Sequence, residues 1–172
     1  GGWHRFFNQF TIGSKTTAVK SGEGPSTMID YSFEDAPDFD ILLIPGGFGT
    51  RAAVSNDAFL GKIAAMSEKA RVTATVCTGS AVLARTGLLD SRPATSNKLA
   101  WDWVLEQGPQ VDWKRQARWV DDGDIVTSSG VSAGIDMTLD LIARLRGEET
   151  ATNSAKFMEY IWNRGSTNDP FS

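Results

Sequence analysis

The chain has 172 residues, with 17 Lys and Arg against 21 Asp and Glu and a formal net charge of −4. That length suits one domain of about 100–200 residues, able to bury roughly 70% of its unfolded surface without a disulfide or metal staple. An apolar share of 41% with 22% charged residues is too apolar for disorder, mild acidity disfavours a nucleic-acid surface, and no run nears the ~18 apolar residues of a membrane span.

The predicted elements alternate between strand and helix, the order of an α/β sandwich with a largely parallel sheet. Phe10–Ile12 and Thr17–Val19 read as strand pieces around Gly13-Ser14-Lys15, and Thr27–Phe33 as another extended segment. Phe39–Ile44 is an apolar run closed by Pro45-Gly46-Gly47 and too short for a helix, so it predicts a buried strand. A helix is expected over Asp57–Lys69, with Phe59, Leu60, Ile63 and Ala64 on one face and Ser55 or Asn56 as cap. Arg71–Val76 returns to strand, and Gly79–Arg85 reads as a short helix ending near Gly87. Lys98–Gln107 looks helical and is stopped by Gly108-Pro109. Ala117–Val120 and Ile125–Thr127 form a hairpin around Asp121-Asp122-Gly123-Asp124. Ser132 is the expected cap of a long helix with Ile135, Leu139, Ile142 and Leu145 on one face and Gly147 as terminator. A last helix is expected from about Thr150 to Trp162, carrying Phe157, Tyr160 and Ile161 as packing or dimer-contact residues.

Chemistry concentrates where two strands end. Val72–Val76 runs into Cys77-Thr78-Gly79-Ser80, where small residues turn the chain sharply into a helix. A side chain at such a bend projects from the carboxyl edge of the sheet, where active sites of open α/β sheets gather. The geometry is the thiol counterpart of the strand–elbow–helix nucleophile of hydrolases, and a helix N-terminus favours an anionic sulfur. Free cysteines are also among the most buried residue types, so a structural role stays open. After the other strand, Pro45-Gly46-Gly47-Phe48-Gly49-Thr50 can aim bare N–H groups into a cleft. Beside Cys77, the N–H groups of Gly47 and Thr78 would hold a developing negative charge. The loop matches neither a dinucleotide fingerprint nor a P-loop, and a plain tight turn is the other reading.

A third strand-to-helix turn, Thr127–Asp136, offers Ser129 to a pocket, with Ser132 explained by capping and Asp136 by the helix dipole. The six tryptophans, Trp101, Trp103 and Trp119 among them, read as core or interface anchors. The single cysteine cannot close an internal disulfide and points to a reducing cytoplasm. With one histidine, His4, the chain is short of donors for a Cys/His zinc site, so no metal is expected. The opening Gly1-Gly2-Trp3-His4 has no initiator Met and no signal segment, which predicts that the natural chain extends further.

Asp38–Gly47, Val76–Ser80, Gly87–Asp90 with Ala94–Asn97, and Ser128–Asp136 together resemble the ThiJ/PfpI superfamily, in the order that family carries them. The resemblance covers most of the chain from about Asp38 to Gly147 and implies a three-layer α/β sandwich of the flavodoxin-like, class I glutamine-amidotransferase-like type, as a single domain 1–172. The Cys77-Thr78-Gly79-Ser80 elbow is similar to the isonitrile hydratase branch. On that resemblance Cys77 is the nucleophile, Gly47 and Thr78 supply backbone donors, and the protein is a homodimer; Gly46, Gly79 and Ser129 are expected to face the substrate. The implied reaction hydrates an isocyanide to an N-substituted formamide without a cofactor.

The family's first strand and helix, which bring an acidic residue beside the cysteine, have no counterpart within 1–172, and their loss is expected to leave a gap in the sheet. Asn97 stands where the hydratases tend to carry a histidine, which counts against Cys–His peptidase and amidotransferase chemistry. Two other functions share the same thiol: a glyoxalase or deglycase acting on reactive aldehydes, and a redox-sensing or ligand-binding domain without catalysis. A small-molecule substrate is the expected partner, with no nucleic acid and no membrane.

Overall fold

Residues 7–22 and 24–172 are described by a computed structural model, and their elements divide into two compact units that meet in sequence between Phe39 and Asp40. His4 lies outside the described residues. The N-terminal unit carries four two-residue strands, β1 (Ile12–Gly13), β2 (Val19–Lys20), β3 (Ser26–Thr27) and β4 (Tyr31–Ser32). β1 runs parallel to β4, and β2 antiparallel to β3. These are shorter than the expected segments, and side-chain contacts also hold the unit. Phe10 meets Tyr31 edge-on at 5.3 Å, and the Asp30 carboxylate accepts from both the Thr11 N–H and the Thr11 hydroxyl. Those two bonds hold the exposed carboxyl below the usual carboxylate range.

The larger unit, Asp40–Ser172, is built on a four-stranded sheet. Its strands are β5 (Ile41–Ile44), β6 (Val72–Val76), β9 (Trp119–Asp121) and β10 (Ile125–Ser128), in the order β5-β6-β10-β9. β5, β6 and β10 are parallel, and the hairpin partner β9 is antiparallel. A second pair, β7 (Pro93–Ala94) and β8 (Asp112–Trp113), is also parallel. The helices are α1 (Thr50–Ala53), α2 (Asp57–Lys69), α3 (Gly79–Arg85), α4 (Trp101–Gln107), α5 (Val131–Arg146) and α6 (Glu148–Phe157).

Alternation along β6 sends successive side chains to opposite faces. Val72, Ala74 and Val76 join Trp119, Val126, Met137 and Leu141 in a core beneath α5. Thr73 takes the other face, where its hydroxyl meets Ser67 of α2 at 2.7 Å. Sheet and helices thus form the three layers of a flavodoxin-like fold, with α5 and α2 on opposite sides. Among the described residues no helix is long and apolar enough to cross a membrane.

Several expected details shift. β5 is not buried throughout: it is the outermost strand of this sheet, and Leu43 is 55% exposed between buried Leu42 and Ile44. Asn56 caps α2 as expected, accepting from the Phe59 N–H at 3.0 Å. Ser132 does not cap α5; Gly130 is the N-cap residue, and the Ser132 hydroxyl accepts from Arg118 instead. The buried face of α5 runs through Ala133, Met137 and Leu141 rather than Ile135 and Ile142. The reason is Gly134, whose missing Cβ would lie 2.8 Å from Val76 and which lets that face press onto β6.

α4 begins at Trp101, since the preceding turn is held by Asn97 Oδ1 accepting from the Ala100 N–H. α6 ends at Phe157, not Trp162. Glu159 turns left-handed at φ 53°, and Tyr160 leaves the helix to donate its hydroxyl to Asp136. Trp101 and Trp119 are core residues, whereas Trp103 lies under the Arg51 guanidinium at 3.6 Å.

Candidate active site

The end of β6 holds one of three non-glycine residues at positive φ among the described residues. Cys77 has φ 58°, the left-handed region that costs an ordinary L-residue of order 1–3 kcal/mol and persists only where the surroundings over-determine it. Those surroundings are explicit. The Cys77 N–H donates to Ser129 O at 3.0 Å and Ser128 O at 3.2 Å. Its carbonyl accepts from the Ser80 hydroxyl at 3.1 Å and the Ser96 hydroxyl at 3.0 Å. The residue is half-buried.

Two glycines let the β5 loop approach this bend. A Cβ on Gly79 would meet Ile44 O at 2.2 Å, and one on Gly46 would meet Thr78 N at 2.7 Å and Cys77 Cβ at 2.8 Å. Both therefore act by close backbone packing. Gly47 follows at φ 124°. Its N–H does not point into an open cleft but donates to Thr78 Oγ1 at 3.0 Å. The buried Thr50 hydroxyl donates to Gly47 O at 2.7 Å and stands 3.1 Å from Thr78 Oγ1. The two threonines thus tie the glycine loop to the elbow.

The rim beyond Cys77 is a buried charge cluster. Asp136, fully buried, takes Arg118 Nε and Nη2 on one oxygen at 2.8 and 2.7 Å. Its other oxygen accepts from Tyr160 Oη at 3.0 Å and the Asn163 N–H at 2.9 Å. Burial, then that bond to Asp136, pushes the Tyr160 hydroxyl above its ordinary range. Lys98 donates to Thr95 Oγ1, Ser96 O and Ala117 O, and faces Asp169 Oδ2 at 3.5 Å. Burial pushes the Lys98 ammonium down to about 8, with Asp169 opposing the shift and Arg115 adding to it. A cavity of about 380 Å³ opens beside this cluster, lined among others by Arg118, Ser129, Gly130, Val131 and Asp169. Among the described residues no group of three or more His, Cys, Asp or Glu side chains could hold a metal ion.

These features coincide with a known family. Residues 7–144 match the DJ-1/PfpI family. The chain belongs to it. It is 35% identical to isonitrile hydratase from Pseudomonas putida over 144 residues, 83% of this chain and 61% of that protein. It is 34% identical over 133 residues to the HTH-type transcriptional regulator CdhR from Pseudomonas aeruginosa, 77% of this chain and 39% of the regulator. A crystal structure of a ThiJ/PfpI family protein from Pseudomonas syringae superimposes with a TM-score of 0.80 at 31% identity, covering 88% of this chain and 62% of that one. The chain therefore spans about three-fifths of the hydratase's length and under two-fifths of the regulator's.

Within this DJ-1/PfpI chain the structure brings Cys77, Thr78, Gly46, Gly47 and Gly79 to one point, and Ser129 touches it through its carbonyl. Gly46 and Gly79, expected to face a substrate, meet backbone. Sequence reasoning missed Ser96, Lys98, Arg118 and Asp169, and gave Asp136 a helix-dipole role in place of the ion pair it makes. The stretch Ala94–Asn97 was visible as a motif, but nothing in it signals that Ser96 reaches the Cys77 carbonyl.

Proposed function

We propose that this DJ-1/PfpI chain carries the site of a cofactor-free, cysteine-dependent hydratase of small molecules, acting on isocyanides. The observation that carries the reading is the half-buried Cys77 held at φ 58° at the strand–helix elbow. The 35% identity to isonitrile hydratase supports the choice of reaction.

The chemistry balances with one thiol and one water. Sγ as thiolate attacks the terminal isocyanide carbon, and a proton from solvent is delivered to that carbon, giving a thioformimidate. Water adds across the C=N bond; the tetrahedral adduct then expels the thiolate and loses the hydroxyl proton, leaving the N-substituted formamide. The Thr78 N–H, next in the chain after the sulfur, is the group expected to meet developing charge. The Thr50 and Thr78 hydroxyls hold the Gly47 peptide against it.

Mass spectrometry of the protein incubated with an alkyl isocyanide tests this. The wild-type chain is expected to release formamide, and Cys77→Ala to reduce turnover by about 10³-fold or more, since no other group replaces the nucleophile. Formamide production unchanged in Cys77→Ala overturns the reading.

A second reading, a ligand- or redox-sensing domain, is favoured by the 34% identity to a transcriptional regulator. Oxygen added to Cys77 by dilute peroxide, without formamide production and without methylglyoxal consumption, selects it over both the hydratase and a glyoxalase.

A further inference from the structure

Resting on the reading of Cys77 as the reactive group, we propose that Asp169 is a positioning residue for it. Asp169 comes from the segment after α6, far along the chain from the elbow. Its N–H donates to Gln116 O at 2.8 Å, and its Oδ1 accepts from the Phe171 N–H at 3.1 Å. Fixed in this way, the carboxylate is 1% exposed and lies between two buried cations, Lys98 Nζ at 3.5 Å and Arg118 Nη1 at 4.0 Å.

Two hydrogen-bonded lines reach the Cys77 backbone, one from the Lys98 ammonium to its carbonyl and one from the Arg118 main chain to its N–H. On one side Lys98 Nζ donates to Ser96 O at 3.0 Å, and the Ser96 hydroxyl donates to Cys77 O at 3.0 Å. On the other, Arg118 O accepts from the Ser129 N–H at 2.9 Å, and Ser129 O accepts from the Cys77 N–H at 3.0 Å. Cys77 has its peptide groups held at both ends, as a left-handed non-glycine residue requires.

Charge balance explains why the anchor is a carboxylate. The cluster holds two cations, Lys98 and Arg118, and two carboxylates, Asp136 and Asp169, all with side chains at most 8% exposed. Solvent screens such a cluster weakly, so removing one charge is felt by the rest. Without Asp169 the Lys98 ammonium loses its carboxylate partner while Arg115 still repels it. Its hold on Thr95, Ser96 and Ala117 is then weaker, and the line through Ser96 slackens.

The test is the rate at which iodoacetamide alkylates Cys77 in the folded full chain at neutral pH. Asp169→Asn and Ser96→Ala are each expected to slow alkylation about three- to tenfold. Asp169→Glu should restore most of the rate, and the double variant should lose less than the product of the two single losses. A merely structural role moves the rate the other way, because a loosened fold exposes the thiol to the reagent. Ser96→Ala leaves the charge cluster intact and carries the test where Asp169→Asn does not fold. Rates unchanged or raised in the folded variants overturn the assignment of Asp169 and leave the nucleophile standing. A wild-type Cys77 that does not react overturns the nucleophile, and this inference with it.

Discussion

At the scale of single residues, the site depends on atoms that are missing as much as on those present. Gly79 has no room for a methyl group, since its Cβ would sit 2.2 Å from the Ile44 carbonyl oxygen. Neither partner is a flexible side chain, so the backbone has to move. Gly79→Ala is expected to destabilise the protein by about 3 kcal/mol, at the upper end of overpacking costs, measured by urea denaturation. Gly61→Ala on α2 is the control, with no atom within 4 Å of its Cβ position; a helix-interior Gly→Ala change there is expected to be neutral or to stabilise. This part of the site was legible: small residues after a β-branched strand predict a sharp turn. The carboxylate of Asp136 was not. Its partner Arg118 is on the hairpin before it and Tyr160 beyond α6, and no local spacing rule links positions so far apart in sequence.

Elements show the same division between local and distant causes. α2 and α3 run over the residues expected of them because their signals lie within a few positions: Asn56 before α2, and the turn of the elbow before α3. Asn56→Ala is expected to lower stability by about 1 kcal/mol through loss of the bond to the Phe59 N–H, read as a lower urea midpoint at unchanged slope. Ser132 looked equally suited to capping, but a distant arginine claims its hydroxyl. α6 stops early for a related reason, because Tyr160 is worth more to the buried Asp136 than to another helical turn. Local propensity sets where an element can form, and tertiary partners decide where it ends.

For the whole molecule, the buried charges set the response to pH. Lys98 has its proton affinity lowered on folding, from the ordinary 10.5 to about 8. The unfolded chain therefore binds more protons than the folded one between those limits, and the Lys98 contribution to stability rises with pH across that window. The difference in urea midpoint between wild type and Lys98→Met is expected to move in favour of wild type from about pH 8 to pH 10; a difference constant over that range contradicts it. Asp124, held below the usual carboxylate range mainly by its bond to Arg92, acts in the same sense at lower pH: its contribution rises with pH and is lost as pH falls through its lowered folded value.

The segment that follows α6 also covers part of the sheet. β9 is the last strand of the order β5-β6-β10-β9, and Ser166 O accepts from the Arg118 and Trp119 N–H groups where it begins. An uncovered strand at the margin of a sheet offers a row of hydrogen-bonding groups to any neighbouring molecule. The stretch that anchors Asp169 is therefore expected also to shield the start of β9 from pairing with a neighbouring molecule.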